Sequence, residues 1–444
     1  MIKVLLYSQT QHPRLEYVIR FIKAYSNAWD LQRTQSKEEY LAFEGPSINY
    51  SQFPLKGSEV FLFESGWLYK KLKDYEQIPK LNKSVDFILF PTTDSRSFDL
   101  FAALFYLIAR IEEYLPFPKD KHGRFPATQS ILFKNEALNI PIIDIWVFQF
   151  IQKLELKFQI KILKAQFNPS WSIGIDIDQF YKFKYKSIFK KIVGTFRAFI
   201  LGNFLEFKQR MLTYTGIQKD PFDSYHWIES LNIEKNQIHF FILAGGNSAY
   251  DKNQAIELEA IKSIVDHIKT FAQIGIHPSY FSNIKADTIA QEKSLLTKIL
   301  GSEINKSRQH FLKIRFPETY QNLIKNQITF DFSLGYADQS GFRAGTCKSF
   351  NWYDVEIEYE TSLIIYPLNA MDRTYLNYTK LTSDEAMNDI KQLFDSCMKY
   401  HGHFHLVWHN SSFDFKFEWK TWDGKLETLV KYFKCYNNNS RNES

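Results

Sequence analysis

The sequence predicts an α/β protein in two parts. A smaller α/β unit spans residues 1–165, and a β/α winding of about seven strands follows over 166–436, which can close into a distorted (β/α) barrel. Three observations carry this. The chain has 444 residues, two to three times the length of a usual domain. Hydrophobic residues make up 45% of it, so a sizeable core can be buried. Beyond residue 220, short apolar runs of strand length alternate with stretches of helix length, the mark of parallel winding.

In the first part, residues 1–8 read as a buried strand. Residues 13–26 read as a helix with Leu15, Val18, Ile19, Phe21 and Ile22 on its apolar face. The run VDFILF at 85–90 has strand character. Residues 98–114 look like a buried helix stopped by Pro116 and Pro118, and 142–156 like a second amphipathic helix. Asp120, His122 and Arg124 share a loop, where a histidine beside charges is expected to be solvated. This part has the look of a support or docking domain.

A junction falls at 166–170, and the strand WSIGIDID follows it. Near 180–220 comes a basic insertion interleaved with Phe and Tyr. It reads as a helical insertion with a solvated basic face, since its charges show no clean amphipathic period. The alternative is a weak contact with an anionic membrane surface or a phosphate-bearing glycolipid. Strands are then expected at 239–243, 273–276, 306–309, 328–332, 364–367 and 404–408, with helices at 253–272, 286–300, 317–325 and 383–399. Residues 437–444 form a polar tail expected to be disordered.

Composition narrows the classes. A net charge of +6 is mild for this length and calls for no nucleic acid, whose binders gather charge on one face. Cys347, Cys397 and Cys435 stand far apart, which argues against a thiolate metal site or a disulfide framework and fits a reducing compartment. The start of the chain has no secretory pattern, and the longest apolar stretch, 100–109, is too short to span a bilayer. A cytoplasmic, soluble protein is the expectation. The aromatic richness suits carbohydrate handling, although codon bias is the weightier explanation.

Four strand ends carry chemistry. In Gly174-Ile175-Asp176-Ile177-Asp178, an apolar strand ends in two carboxylates on one face. Two like charges buried together need a cation or a proton to resolve them. His277 follows the strand before it, Arg308 and His310 follow the next, and His409 ends the strand HFHLVWH. Each has a bland reading as a polar strand end, but together they set Asp, Asp, His, Arg/His and His along one winding pattern. Arg343, in the loop FRAGT, and Asp372 are further substrate-groove candidates. His401 and His403 are read as incidental, and His405 as a buried neighbour.

This order resembles the NodB-homology polysaccharide deacetylases of the carbohydrate esterase family 4 type, most specifically over residues 171–410. The segments FFILAGGNSAYDKN, IGIHPSYFS, SRQHFLKIRFPETY, GFRAGT and WHN look like a divergent bacterial subgroup, whose extra N-terminal domain is matched by FDLFAALFYLIARIEEYLPFPKDKHGRF. The resemblance implies a divalent metal (zinc, or else cobalt, nickel or manganese) on Asp178 and His277, with Asp176 as general base and His409 as acid. It implies Arg308, Arg343 and Asp372 as substrate contacts, and a carbohydrate or glycolipid as substrate. Two features depart from the family pattern. The second metal histidine should fall at position 281, which is Phe281, and Ile177 separates the two aspartates. His310 is the candidate replacement ligand.

The expected activity is removal of an N-acetyl group from a sugar or a polysaccharide intermediate. One rival is a non-catalytic carbohydrate-binding or scaffold protein on the same fold. Another is metal-dependent amide hydrolysis on a small or lipid-linked substrate.

Overall fold

The computed structural model describes residues 1–77, 88–91, 98–163, 169–246, 248–252, 259–283 and 285–442. The strand expected at 85–90 lies largely outside them, as do residues 253–258 at the head of the helix expected over 253–272.

Two sheets organise the chain. The first holds β1 (Ile2–Tyr7), β2 (Trp29–Thr34), β3 (Ser47–Ser51) and β4 (Val60–Phe63), all parallel, in the order β2-β1-β3-β4. The helix Pro13–Lys23 connects β1 to β2, close to its expected place. The sequence-based expectation lacks β2 and β3, whose apolar pattern polar residues break (WDLQRT and SINYS), and β4, an apolar run of only four residues (VFLF). Asn49 in β3, for example, is fully buried and donates to Glu59 and to the Phe53 carbonyl, so a polar residue sits inside a strand without penalty.

The second sheet holds β5 (Ser170–Ile177), β6 (Ile238–Ile242), β7 (Gln273–Ile276), β8 (Lys306–Ser307), β9 (Phe330–Asp331), β10 (Phe350–Asp354), β11 (Tyr359–Ile365), β12 (Ala370–Met371) and β13 (His403–His409). Their order is β10-β11-β9-β8-β7-β6-β5-β13-β12. All neighbours are parallel except the antiparallel pair β10–β11. The helices Glu259–Phe271, Ala286–Leu300, Glu318–Lys325 and Ser383–Lys399 fall between strands, as parallel winding requires.

This sheet is strongly curled. Arg308, just past β8, donates to His405 in β13, although β7, β6 and β5 stand between those strands. In a flat sheet four strand steps would separate them by roughly 19 Å. The Phe332 and His405 rings lie 5.1 Å apart and those of Tyr366 and His403 5.2 Å apart, again across the strand order. Only residues 366–369 separate β11 from β12. Within that stretch the Tyr366 amide donates to Asp331 beside β11, and the Asn369 amide donates to His405 in β13.

The two sheets share one buried apolar cluster. Polar ties reinforce it: Arg14 pairs with Glu358, the Tyr17 hydroxyl donates to the Asn351 carbonyl at 2.7 Å, and the Asp144 carboxylate accepts the Cys347 amide at 2.9 Å.

The basic insertion folds as two helices, Ile188–Ile200 and Phe204–Tyr214. The insertion is helical and its Lys190, Arg197 and Lys208 are exposed, in line with a solvated basic face; what the expectation lacked is an exposed apolar face with a helical period. Ile188, Ile192 and Phe196 repeat at helical spacing, and they point outward. The helix Lys425–Asn442 continues into the stretch whose polar composition predicts a disordered tail. Among the described residues, no helix is long and apolar enough to cross a membrane.

Candidate metal centre and active site

The strand β5 alternates cleanly. Ile173, Ile175 and Ile177 are fully buried on one face. On the other face Ser172 meets His405, and Gly174 leaves space for an arginine. A Cβ at Gly174 would lie 2.2 Å from Nη2 of Arg308, so only glycine admits that guanidinium. Asp176 follows on the same face, with Nε of Arg308 3.0 Å from its Oδ1. Its strand neighbour is His409, register partner of Asp176 in β13. Asp178 lies one residue past the end of β5.

Asp178, His277 and His310 converge. Nε2 of His277 is 3.3 Å and Nε2 of His310 is 3.5 Å from Oδ1 of Asp178. The three donor atoms lie within 4.8 Å of one another. Both imidazoles are anchored through their other nitrogen. Nδ1 of His277 is 2.6 Å from the Arg308 carbonyl, which can only accept, so Nδ1 carries the proton and the Nε2 lone pair faces Asp178. Nδ1 of His310 is 3.0 Å from Oδ1 of Asp251. Burial pushes the Asp251 carboxyl up, but hydrogen bonds from His310, Ser248 and the Tyr280 amide hold it below its ordinary value. It is therefore a carboxylate acceptor that fixes the same tautomer on His310.

These residues fit a divalent cation. Two donors about 2.0–2.1 Å from one tetrahedral ion stand about 3.4 Å apart, close to the separations seen here. Oδ1 of Asp178 and Nε2 of His277 are buried and take no hydrogen bond. A histidine held through its far nitrogen by a carboxylate or carbonyl is the usual support for a metal ligand. Without an ion, burial pushes Asp178 up, but the positive charge that His310, His277 and His409 carry when protonated outweighs it and holds the carboxyl well below the carboxylate range; a cation among neutral imidazoles would take over that role. Directly after His310, Phe311 and Leu312 have φ of +60° and +51°. Two such residues in succession cost about 1–3 kcal/mol each, and both stay in the wall of the cavity beside the centre.

His409 faces the centre from β13. Its Nδ1 is 2.8 Å from Oδ1 of Asp372, and Oδ2 of Asp372 accepts the His409 amide and the Ser412 hydroxyl. Burial lowers the imidazole, but the charge and hydrogen bond of Asp372, with Asp178 and Asp176 beyond, raise it to about 9. A protonated imidazole with Nδ1 engaged keeps Nε2–H available as a donor.

A cavity of about 390 Å³ opens over these groups, with Asp176, Asp178, His277, His310 and His409 in its wall. Tyr250, Phe311 and Tyr378 add aromatic faces to it, and Lys252, Arg373 and Arg124 add charge.

Three expected substrate contacts do not face this cavity. Arg308 is wholly buried beneath Asp176 and His405, and burial pushes its guanidinium down. It holds Asp176 and does not reach substrate. Asp372 is wholly buried and orients His409. Arg343 is 2% exposed and tied to Glu113 and the Gly335 carbonyl, so it joins the N-terminal residues to the large sheet. His405 is buried, as expected, and accepts the Arg308 hydrogen bond. Phe281 is 47% exposed and lies outside the cavity wall.

Sequence reading missed two contributors. Asp251 lay inside the quoted FFILAGGNSAYDKN segment, but a loop aspartate carries no period to mark it. The loop of Arg124 is expected to hold a solvated histidine, yet His122 is buried, and Arg124 carries no expected role. Its guanidinium donates to the Phe311 carbonyl at 2.7 Å and lines the cavity, while Nδ1 of His122 is 3.0 Å from the Tyr280 hydroxyl.

Residues 4–159 match a family of unknown function, DUF7033. No curated protein sequence matches the chain. Among solved structures, the chain is similar to a protein described provisionally as a polysaccharide deacetylase from Mycobacterium smegmatis, at 10% identity and a TM-score of 0.37, covering 60% of this chain and 84% of that one. It is also similar to the PuuE allantoinase, at 11% identity and a TM-score of 0.38, with the same two coverages.

Proposed function

We propose that the chain is a metal-dependent hydrolase that removes an N-acetyl group from a sugar or a polysaccharide intermediate. The observation that carries this reading is the triad Asp178, His277 and His310. Its free donor atoms converge, and both histidines are anchored from behind by Arg308 and Asp251. The curled sheet is read here as the expected (β/α) barrel, with these groups at its C-terminal mouth.

Asp178, His277 and His310 would hold a divalent cation, zinc being suited to two imidazoles and a carboxylate. Such an ion, when bound, polarises an amide carbonyl and lowers the pKa of water. Asp176, fixed by Arg308 and lying in the cavity wall, takes the proton from the attacking water as general base. His409, kept protonated by Asp372, gives a proton from Nε2 to the departing sugar amine. Tyr250 and Phe311 offer flat faces to a sugar ring, and Arg124 offers a planar donor fork to its oxygens.

Metal content and acetate release from N-acetylated chito-oligosaccharides, measured on the wild type, H277A and H310A, test the reading. About one divalent ion per chain, lost with acetate release in both variants, is the expected result. Loss in H277A alone keeps the hydrolase and discards His310 as a ligand. A wild type that takes up no metal even after supplementation favours a non-catalytic carbohydrate-binding protein.

A further inference from the structure

We infer that the helical hairpin of Ile188–Ile200 and Phe204–Tyr214 docks on anionic lipid bilayers. This goes beyond the hydrolase reading and does not depend on it. The hairpin is built inside out. Ile188, Phe189, Ile192, Phe196 and Ile200 are each more than 60% exposed, and Leu201 and Phe204 carry the apolar surface across the turn. The inward stripe holds small residues instead: Ala198 is buried, and a Cβ at Gly194 would lie 2.7 Å from the Arg210 guanidinium of the other helix. Small residues on the first helix therefore leave room for the Arg210 side chain of the second, and large apolar ones face solvent. A contiguous exposed apolar face of this kind marks an interaction surface.

Charge selects the occupant. Residues 180–219 contain nine lysines and arginines and a single acid, Glu206. Lys190, Arg197 and Lys208 are exposed beside the apolar face. A second copy of the chain would bring like charges together, whereas a bilayer with acidic headgroups neutralises them and accepts the phenylalanines below the headgroup level. The hairpin is also firmly based. Lys182 pairs with Asp414, and Gln209 donates to Asp414 at 2.8 Å.

Co-sedimentation of the full-length protein with phosphatidylcholine vesicles, with and without phosphatidylglycerol, tests this. The wild type should bind the anionic vesicles and release at high salt. The charge variant K190E/R197E/K208E should bind about 100-fold more weakly or worse. The apolar variant F189S/I192S/F196S should lose binding as well. All six positions are exposed, so unchanged melting temperatures should confirm that both variants fold. Absence of wild-type binding to anionic vesicles overturns the inference, as does binding that neither variant weakens. Concentration-dependent dimers that disappear in the apolar variant, without vesicle binding, overturn it in favour of an interface between copies.

Discussion

Two places among the described residues bring two imidazoles and a carboxylate within 4.8 Å: Asp178, His277 and His310, and the trio His226, Glu229 and His267 between the helices Tyr225–Ser230 and Glu259–Phe271. Their inner distances are alike, since Nε2 of His267 is 3.3 Å from Oε2 of Glu229 and Nδ1 of His226 is 3.6 Å from it. Their surroundings are not. The side chains of His226, Glu229 and His267 are 62%, 41% and 24% exposed, while those of His277 and His310 are 2% and 5% exposed. Among the described residues, no carboxylate or carbonyl holds the other nitrogen of His226 or His267. Proximity of donors is thus the common part, and orientation from behind, inside a cavity, is what distinguishes a candidate centre.

The sharpest break in the comparison is chemical. Asp176 stands beside the first cluster, held by Arg308. The D176N variant should keep its metal and lose about 100- to 10,000-fold in turnover. Acetate release and metal content measured on the same preparation check this, and undiminished turnover would sink the base assignment. Next comes the support behind the ligands. D251N removes the carboxylate that fixes the His310 tautomer, and metal affinity should fall about 10- to 100-fold. The double variant H226A/H267A should leave metal affinity unchanged, with stability altered by no more than about 0.5 kcal/mol. Competitive chelator titration of both proteins decides the matter: equal losses in the two would erase the distinction drawn here.

The smallest expected effect concerns His409. A histidine raised to about 9 by Asp372 is in its acid form at neutral pH, and that form is lost as pH rises through the raised value. A cation on Asp178 cancels one of the charges that raise the imidazole, so wild-type turnover should hold through neutral pH and decline at a pH no higher than about 9. In D372N the imidazole falls back toward about 6.5, so the decline should move to lower pH, with protonation alone costing about fourfold at pH 7. A pH–rate profile that does not move on this substitution would remove His409 as the acid.

How much of this was legible in the sequence depends on the kind of signal. Period-2 alternation marks β5 and the pairing of Asp176 with Asp178, because one face of that strand is wholly apolar (Trp171, Ile173, Ile175 and Ile177). Strand-end position picked out His277, His310 and His409. Arg308, Arg343 and Asp372 were rightly singled out as unusual, but the sequence could not distinguish a charge that meets substrate from one buried to hold another side chain. Both are lone charges beside apolar runs. Asp251 and Arg124 come from loops, where position in space follows from tertiary packing and leaves no periodic trace. The inverted hairpin was misread for a related reason. Its apolar residues do repeat at helical spacing, but lysines placed among them blurred the pattern, and sequence alone does not say which face of a helix turns inward.

Arg124 carries one last implication. The groups of the proposed chemistry lie from Asp176 onward, yet one wall of the cavity over them is furnished by an arginine from the N-terminal residues, anchored on the Phe311 carbonyl. On the proposed reading, that arginine would share in choosing the molecule admitted while standing apart in the chain from the reacting groups, so substitutions around Arg124 would let proteins with the same centre differ in substrate.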